Sequence, residues 1–130
     1  MRTPVAAIVE DDLSTAEIIA EMCRQHGYQS NIYKSGVDAI FGLHERRPDI
    51  LIVDIHMPNI GGDTLLEHLV SPPYSFREVP IAMFTADKSY NAKAQHAGLT
   101  IRVFFKDGGV AELGRYLEAL KPKASSVCSL

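Results

Sequence analysis

The stretch Asp49-Ile50-Leu51-Ile52-Val53-Asp54-Ile55-His56-Met57-Pro58 decides the fold. Residues 50–53 are apolar without interruption, the pattern of a strand buried on both faces, as strands inside parallel sheets are. A carboxylate, Asp54, follows at once. Working outward, the same kind of run recurs at residues 5–9 and 81–84, and at 101–105 with Arg102 set within it. Helical patterns lie between the runs. Ala16, Ile19, Ala20 and Cys23 keep the i, i+3, i+4, i+7 spacing, and so do Val37, Ile40, Phe41 and His44. Leu65, Leu66, Leu69 and Val70 form a third stripe, and Leu113, Leu117 and Leu120 a last one. Residues 88–97 read as a weaker helix with Tyr90, Ala94 and Ala97 to bury.

The punctuation agrees with this division. Ser14 with Glu17 makes a capping box, Gly27 stands where a helix closes, Ser35 caps the second helix, and Pro48 follows its end. Gln29 to Tyr33, polar and alternating, supplies a further strand at a sheet edge. Five βα units result, which predicts a parallel five-stranded sheet with helices on both faces and right-handed crossovers. The domain is expected over residues 1–121, with residues 122–130 as a flexible tail.

The bulk properties narrow the function classes. A chain of 130 residues, 46% of them apolar, can build one core without disulfides or a structural metal. The net charge of −3 and the shortness of the basic stretches at Arg46-Arg47 and residues 121–123 argue against direct nucleic-acid binding. The two cysteines, Cys23 and Cys128, form no C-x-x-C or zinc spacing, which fits a reducing, cytoplasmic setting. No apolar run approaches a membrane span, and the opening MRTPVAAIVEDD lacks the pattern of a signal peptide.

In an open α/β sheet, ligands bind beyond the carboxyl ends of the strands. Glu10, Asp11 and Asp12 follow the first run, Asp54 the third strand, Thr85 the fourth and Lys106 the fifth. Clustered carboxylates repel one another, and a divalent cation relieves that repulsion. Oxygen ligands suit Mg²⁺, which also grips phosphate. Lys106 adds a positive charge and Thr85 a hydroxyl donor, a set able to neutralise and orient phosphoryl oxygens. Asp54, delivered by the central strand, is the candidate nucleophile for an acyl phosphate.

These residues resemble the response-regulator receiver family of two-component signalling. The matching segments are Ala7-Ile8-Val9-Glu10-Asp11-Asp12, the stretch from Asp49 to Pro58 with Gly62 after it, Val79-Pro80-Ile81-Ala82-Met83-Phe84-Thr85-Ala86, and Phe104-Phe105-Lys106. The resemblance covers about residues 5 to 120. It implies a flavodoxin-like, doubly wound (βα)5 fold with strand order 2-1-3-4-5. It implies that Asp54 is the phosphoacceptor, with Thr85 and Lys106 engaging the phosphoryl group. Mg²⁺ would be held by Asp11 and Asp54, by Glu10 through water, and by the backbone carbonyl of His56. The donor would be a phosphohistidine on a sensor histidine kinase or a histidine phosphotransfer protein, and the response would be read by a downstream effector protein. Such a module is no enzyme beyond catalysing its own phosphorylation and dephosphorylation.

Two positions depart from the family pattern. Asp107 stands where receivers usually carry proline, followed by Gly108 and Gly109. Val103 stands where many carry Tyr or Phe, unless a register shifted by one brings Phe104 there. These departures motivate an alternative: a receiver-fold binding module whose signalling no longer depends on phosphorylation. A flavoprotein of the same fold is disfavoured, because the acidic first loop would repel the flavin phosphate. A haloacid-dehalogenase-type phosphatase is disfavoured because its second aspartate would fall on His56. The side chains of His56 and Asp87 lie beside the predicted site; plain exposure is favoured for both. His26, His44, His68 and His96 share no metal spacing and read as surface or helix-flank residues.

Overall fold

The computed structural model describes residues 3–57, 59–71, 74, 76–90, 99–108 and 110–120. Five strands, β1 (Val5–Val9), β2 (Gln29–Tyr33), β3 (Ile50–Asp54), β4 (Ile81–Thr85) and β5 (Ile101–Phe105), form one sheet in the order β2-β1-β3-β4-β5. Every pairing is parallel. Four helices are seen among the described residues: α1 (Leu13–Gln25), α2 (Gly36–Glu45), α3 (Gly62–Val70) and α4 (Ala111–Ala119). The expected doubly wound architecture and its strand order are therefore those of the molecule. Lys88 and Ser89 lie in a turn that Tyr90 follows, and residues 91–97 of the expected helix 88–97 fall outside the described residues, as does the tail 122–130.

The uninterrupted apolar runs explain the layering. Successive strand residues point to opposite faces, so an apolar residue at every position feeds two cores. Ala7, Val9, Leu51, Val53, Ile81 and Met83 meet Ala39 and Leu43 of α2 and Leu65, Leu66 and Leu69 of α3. On the other face Ala6, Ile8, Ile50, Ile52, Ala82, Phe84 and Phe104 meet Ala16, Ile19, Ala20 and Cys23 of α1 and Leu113 and Leu117 of α4. The polar β2 lies at the edge, as its sequence predicts.

Two local expectations are corrected. The stripe of α2 is rotated: Gly36, Ala39 and Leu43 are buried, whereas Val37 is 43% and Phe41 70% exposed. The reason is steric. Small residues let α2 approach its neighbours closely: a Cβ on Gly36 would lie 2.7 Å from the Ile60 carbonyl oxygen, and one on Gly42 would strike the Tyr33 ring. The N-terminus of α1 is capped by Asp12 and not by a Ser14–Glu17 box. Asp12 is extended, its carbonyl accepts from the Ala16 amide, and its carboxylate accepts from Thr15 Oγ1 at 2.5 Å. The other signals hold. Gly27 closes α1 at φ +90°, a conformation glycine adopts without a Cβ penalty. Ser35 accepts from the Asp38 amide at 3.1 Å.

Candidate phosphoacceptor site

Strand order reverses between β1 and β3, and the polar residues gather around the carboxyl ends there. Glu10 follows β1 directly, and its amide donates to the Tyr33 carbonyl at 3.0 Å. Asp54 closes β3 and pairs in register with Phe84, one residue before Thr85, which closes β4. Thr85 pairs with Phe105, one residue before Lys106. The registers thus carry Asp54, Thr85 and Lys106 across three adjacent strand ends.

Asp54 is held at both oxygens. The His56 amide donates to Oδ1 and Lys106 Nζ donates to Oδ2, each at 3.1 Å. The Asp54 side chain is 3% exposed and that of Lys106 41%, so the ammonium reaches from the surface to a buried carboxylate. Carboxylate oxygens of Glu10, Asp11 and Asp54 lie within 4.8 Å of one another. Burial first, and the charge of Asp54 second, push the Glu10 carboxyl up to about 8. Its Oε2 accepts from the Asp12 amide at 3.2 Å. Three converging carboxylates, two buried and one exposed, are a donor set that fits Mg²⁺, whose shell mixes carboxylates with retained waters.

Thr85 is fully buried, and its Oγ1 accepts from the Asp87 amide at 2.9 Å. The Asp87 carboxylate is taken up by Ser89, whose amide and hydroxyl donate to Oδ1 at 2.9 and 2.6 Å. The His56 side chain is exposed. His26 lies on α1's end with Nδ1 2.9 Å from the Met22 carbonyl oxygen, and His44 and His68 are exposed; His96 falls outside the described residues. At the two departures, Asp107 opens onto Lys88, with Oδ2 2.6 Å from Nζ. This pair joins the segments that follow β4 and β5. Val103 packs on the α2/α3 side of the sheet with Met83, while Phe104 is buried on the other side, stacked on Phe84 at 5.5 Å between centroids. A shifted register therefore places an aromatic ring on the face opposite to Val103.

Two tertiary pairs escape a reading of the sequence. Lys88 with Asp107 is one; the other joins the Tyr90 hydroxyl to Asp63 Oδ1. Only the acid at position 107, where proline was expected, hinted at the first.

The model of the response regulator receiver domain matches residues 6–115. The DNA-binding response regulator MtrA of Mycobacterium tuberculosis is 30% identical over 79 residues, which are 61% of this chain and 33% of that protein. The chain thus spans about a third of the length of that relative. A CheY-like receiver domain from Methylobacillus flagellatus superposes with a TM-score of 0.77 at 24% identity, covering 91% of this chain and 98% of that one. The response regulator TrrA of Thermotoga maritima, solved in complex with Mg²⁺–BeF, gives 0.76 at 20% identity over 90% of this chain and 98% of that one. The fold and the acidic site match phosphoacceptor function. With the family pattern running through nearly the whole sheet, the chain belongs to the response regulator receiver domain family.

Proposed function

We propose that this domain accepts a phosphoryl group on Asp54 from a phosphohistidine donor, carried by a sensor histidine kinase or a histidine phosphotransfer protein, and thereby switches its contacts with a downstream effector. The observation that carries this reading is Asp54 itself: buried, gripped at both oxygens, and within 4.8 Å of two further carboxylates. An Asp54 oxygen attacks phosphorus, the P–O bond forms, and the P–N bond to the donor imidazole breaks. The imidazole leaves with the electron pair and takes up a proton. Lys106, already on Asp54, compensates the charge of the phosphorylated carboxyl, and the Thr85 hydroxyl donates to a phosphoryl oxygen. Asp11 and Asp54, Glu10 through water, and the His56 carbonyl would hold Mg²⁺. When bound, that ion neutralises the carboxylates and draws charge from the transferring group.

The domain's chemistry on this reading is confined to its own phosphorylation and dephosphorylation, so it is a signalling module and not an enzyme acting on other substrates. We assign it to the cytoplasm, as a receiver spanning residues 1–121 with a short tail. Among the described residues no helix is long and apolar enough to cross a membrane.

Intact-mass spectrometry after incubation with Mg²⁺ and acetyl phosphate tests the reading, with Asp54→Asn and an EDTA-treated sample beside it. The expected outcome is one added phosphoryl group in the wild type alone, lost with EDTA. No gain in the wild type, or an equal gain in Asp54→Asn, would sink it. Effector binding unchanged by Asp54→Asn would instead favour a binding module independent of phosphorylation.

A further inference from the structure

The segment that leaves β4 is closed on itself and then tied to a different element. Thr85 Oγ1 accepts from the Asp87 amide, the Asp87 carbonyl accepts from the Tyr90 amide at 3.1 Å, and Ser89 holds the Asp87 carboxylate. Residues 86–89 are exposed, so this turn has little buried surface of its own to fix it. Besides the exposed Lys88–Asp107 ion pair, its anchors are at its ends. One is Thr85, in the strand. The other is Tyr90, which packs half-buried, as Leu99 and Val103 do, against the core cluster that holds Leu65, Leu66 and Met83.

The Tyr90 hydroxyl donates to Asp63 Oδ1, and it also lies 3.6 Å from Met83 Sδ. Burial, and then the Asp63 carboxylate, push the phenol well above the usual tyrosine range, so it stays a donor at all ordinary pH. Asp63 sits in the first turn of α3. That turn is seated on the phosphoacceptor strand's exit: the Gly62 amide donates to the Ile55 carbonyl at 3.0 Å. The Tyr90–Asp63 bond therefore bridges the chain segments that leave Asp54 and Thr85.

A hydroxyl has one proton and two lone pairs. With the Asp87 amide on one side of Oγ1, the proton of Thr85 must be directed elsewhere, and the turn decides where. We infer that Tyr90 and Asp63 are positioning residues for the Thr85 hydroxyl, holding the turn that orients it. The role assigned to Thr85 rests on the phosphoacceptor reading; the tie itself does not.

The test starts without phosphorylation. Amide hydrogen exchange at Asp87 is compared in wild type, Tyr90→Phe, Asp63→Ala and Asp63→Asn, each otherwise folded by its exchange-protected core strands. Losing a hydrogen bond to a charged group is worth about ten- to hundredfold, so exchange at Asp87 should quicken by about tenfold or more in Tyr90→Phe and Asp63→Ala. Asp63→Asn keeps an acceptor oxygen and should fall between. Unchanged exchange in Tyr90→Phe would overturn the inference. Next, phosphorylation by acetyl phosphate is timed for Tyr90→Phe in the native background and in Thr85→Ala. The expected result is a several-fold slowing in the first and none in the second, at an unchanged Mg²⁺ midpoint. Equal slowing in both backgrounds would show that the tie does not act through Thr85, and overturn it. If the wild type takes no phosphoryl group, the phosphoacceptor reading fails, and exchange at Asp87 alone decides the tie.

Discussion

Gly62 and Gly108 show how close approaches of similar size can carry opposite consequences. A Cβ on Gly62 would lie 2.9 Å from both the Asp54 carbonyl oxygen and Ile55 Cα, atoms of the backbone that presents the acceptor. A Cβ on Gly108 would lie 2.6 Å from Glu112 Oε1, the free end of a flexible side chain. Overpacking against backbone costs about 1–3 kcal/mol, and the helix propensity gained by alanine in α3 returns less than about 1. Gly62→Ala should therefore lose about 1–2 kcal/mol in urea unfolding, and Gly108→Ala should stay within about 0.5. Equal losses would mean that the exit of β3 is softer than its contacts imply. At this scale the strand-end residues Glu10, Asp11, Asp54, Thr85 and Lys106 were legible, because each follows an apolar run and the sheet carries such residues to one place. Tyr90 with Asp63, and Lys88 with Asp107, were not. Asp63, Lys88 and Asp107 read as ordinary surface residues and Tyr90 only as an apolar position of a weak helix, and only the tertiary fold brings the partners together, across 27 residues in the first case.

Helix α2 holds the clearest lesson among the elements. Counting large apolar residues selects Val37, Ile40 and Phe41, but the helix packs through Gly36, Ala39 and Leu43, with Ile40 half-buried at the margin. Hydrophobic periodicity weighs side-chain size, whereas a helix pressed close to its neighbours selects for the lack of it. The reading succeeded for α1, α3 and α4 because their inward positions are filled by Ile, Leu and Cys as well as Ala. The rotated face has a direct consequence. Leu43→Ala opens a cavity and should cost about 2–5 kcal/mol, while Phe41→Ser should stay within about 0.5. Denaturant midpoints at constant slope decide between the faces. A larger loss at Phe41 than at Leu43 would restore the face that periodicity selects.

Across the whole molecule, the sheet separates two environments. The α2/α3 side carries Tyr90 and α3's first turn, while the α1/α4 side buries Cys23 and Tyr28 in an apolar layer. Burial pushes the Cys23 thiol up to about 12; burial, and then the nearby Cys23, push the Tyr28 phenol up to about 12 as well. Both groups are raised, so the folded state keeps protons that the unfolded chain gives up. Their contribution is complete below the ordinary thiol value of 9.0 and is lost as pH rises towards about 12. Stability should therefore fall from about pH 9, first through the thiol and above about pH 10 through Tyr28 and the other raised tyrosines as well, each group by up to about 1.4 kcal/mol per pH unit. Urea unfolding at intervals from pH 8 to 11 measures this, with Cys23→Ala as the comparison. The variant is less stable at pH 8, because the sulfur is lost from the core, but it should lose less per pH unit than the wild type above pH 9. Parallel slopes would exonerate the thiol and leave the alkaline loss to tyrosines. Since Cys23 lies on the sheet face away from α3, the steepening between about pH 9 and 10, below the tyrosine range, should leave exchange at the Asp87 amide, corrected for the intrinsic pH dependence, unchanged. A parallel drop at Asp87 would show that the two faces of the sheet yield together.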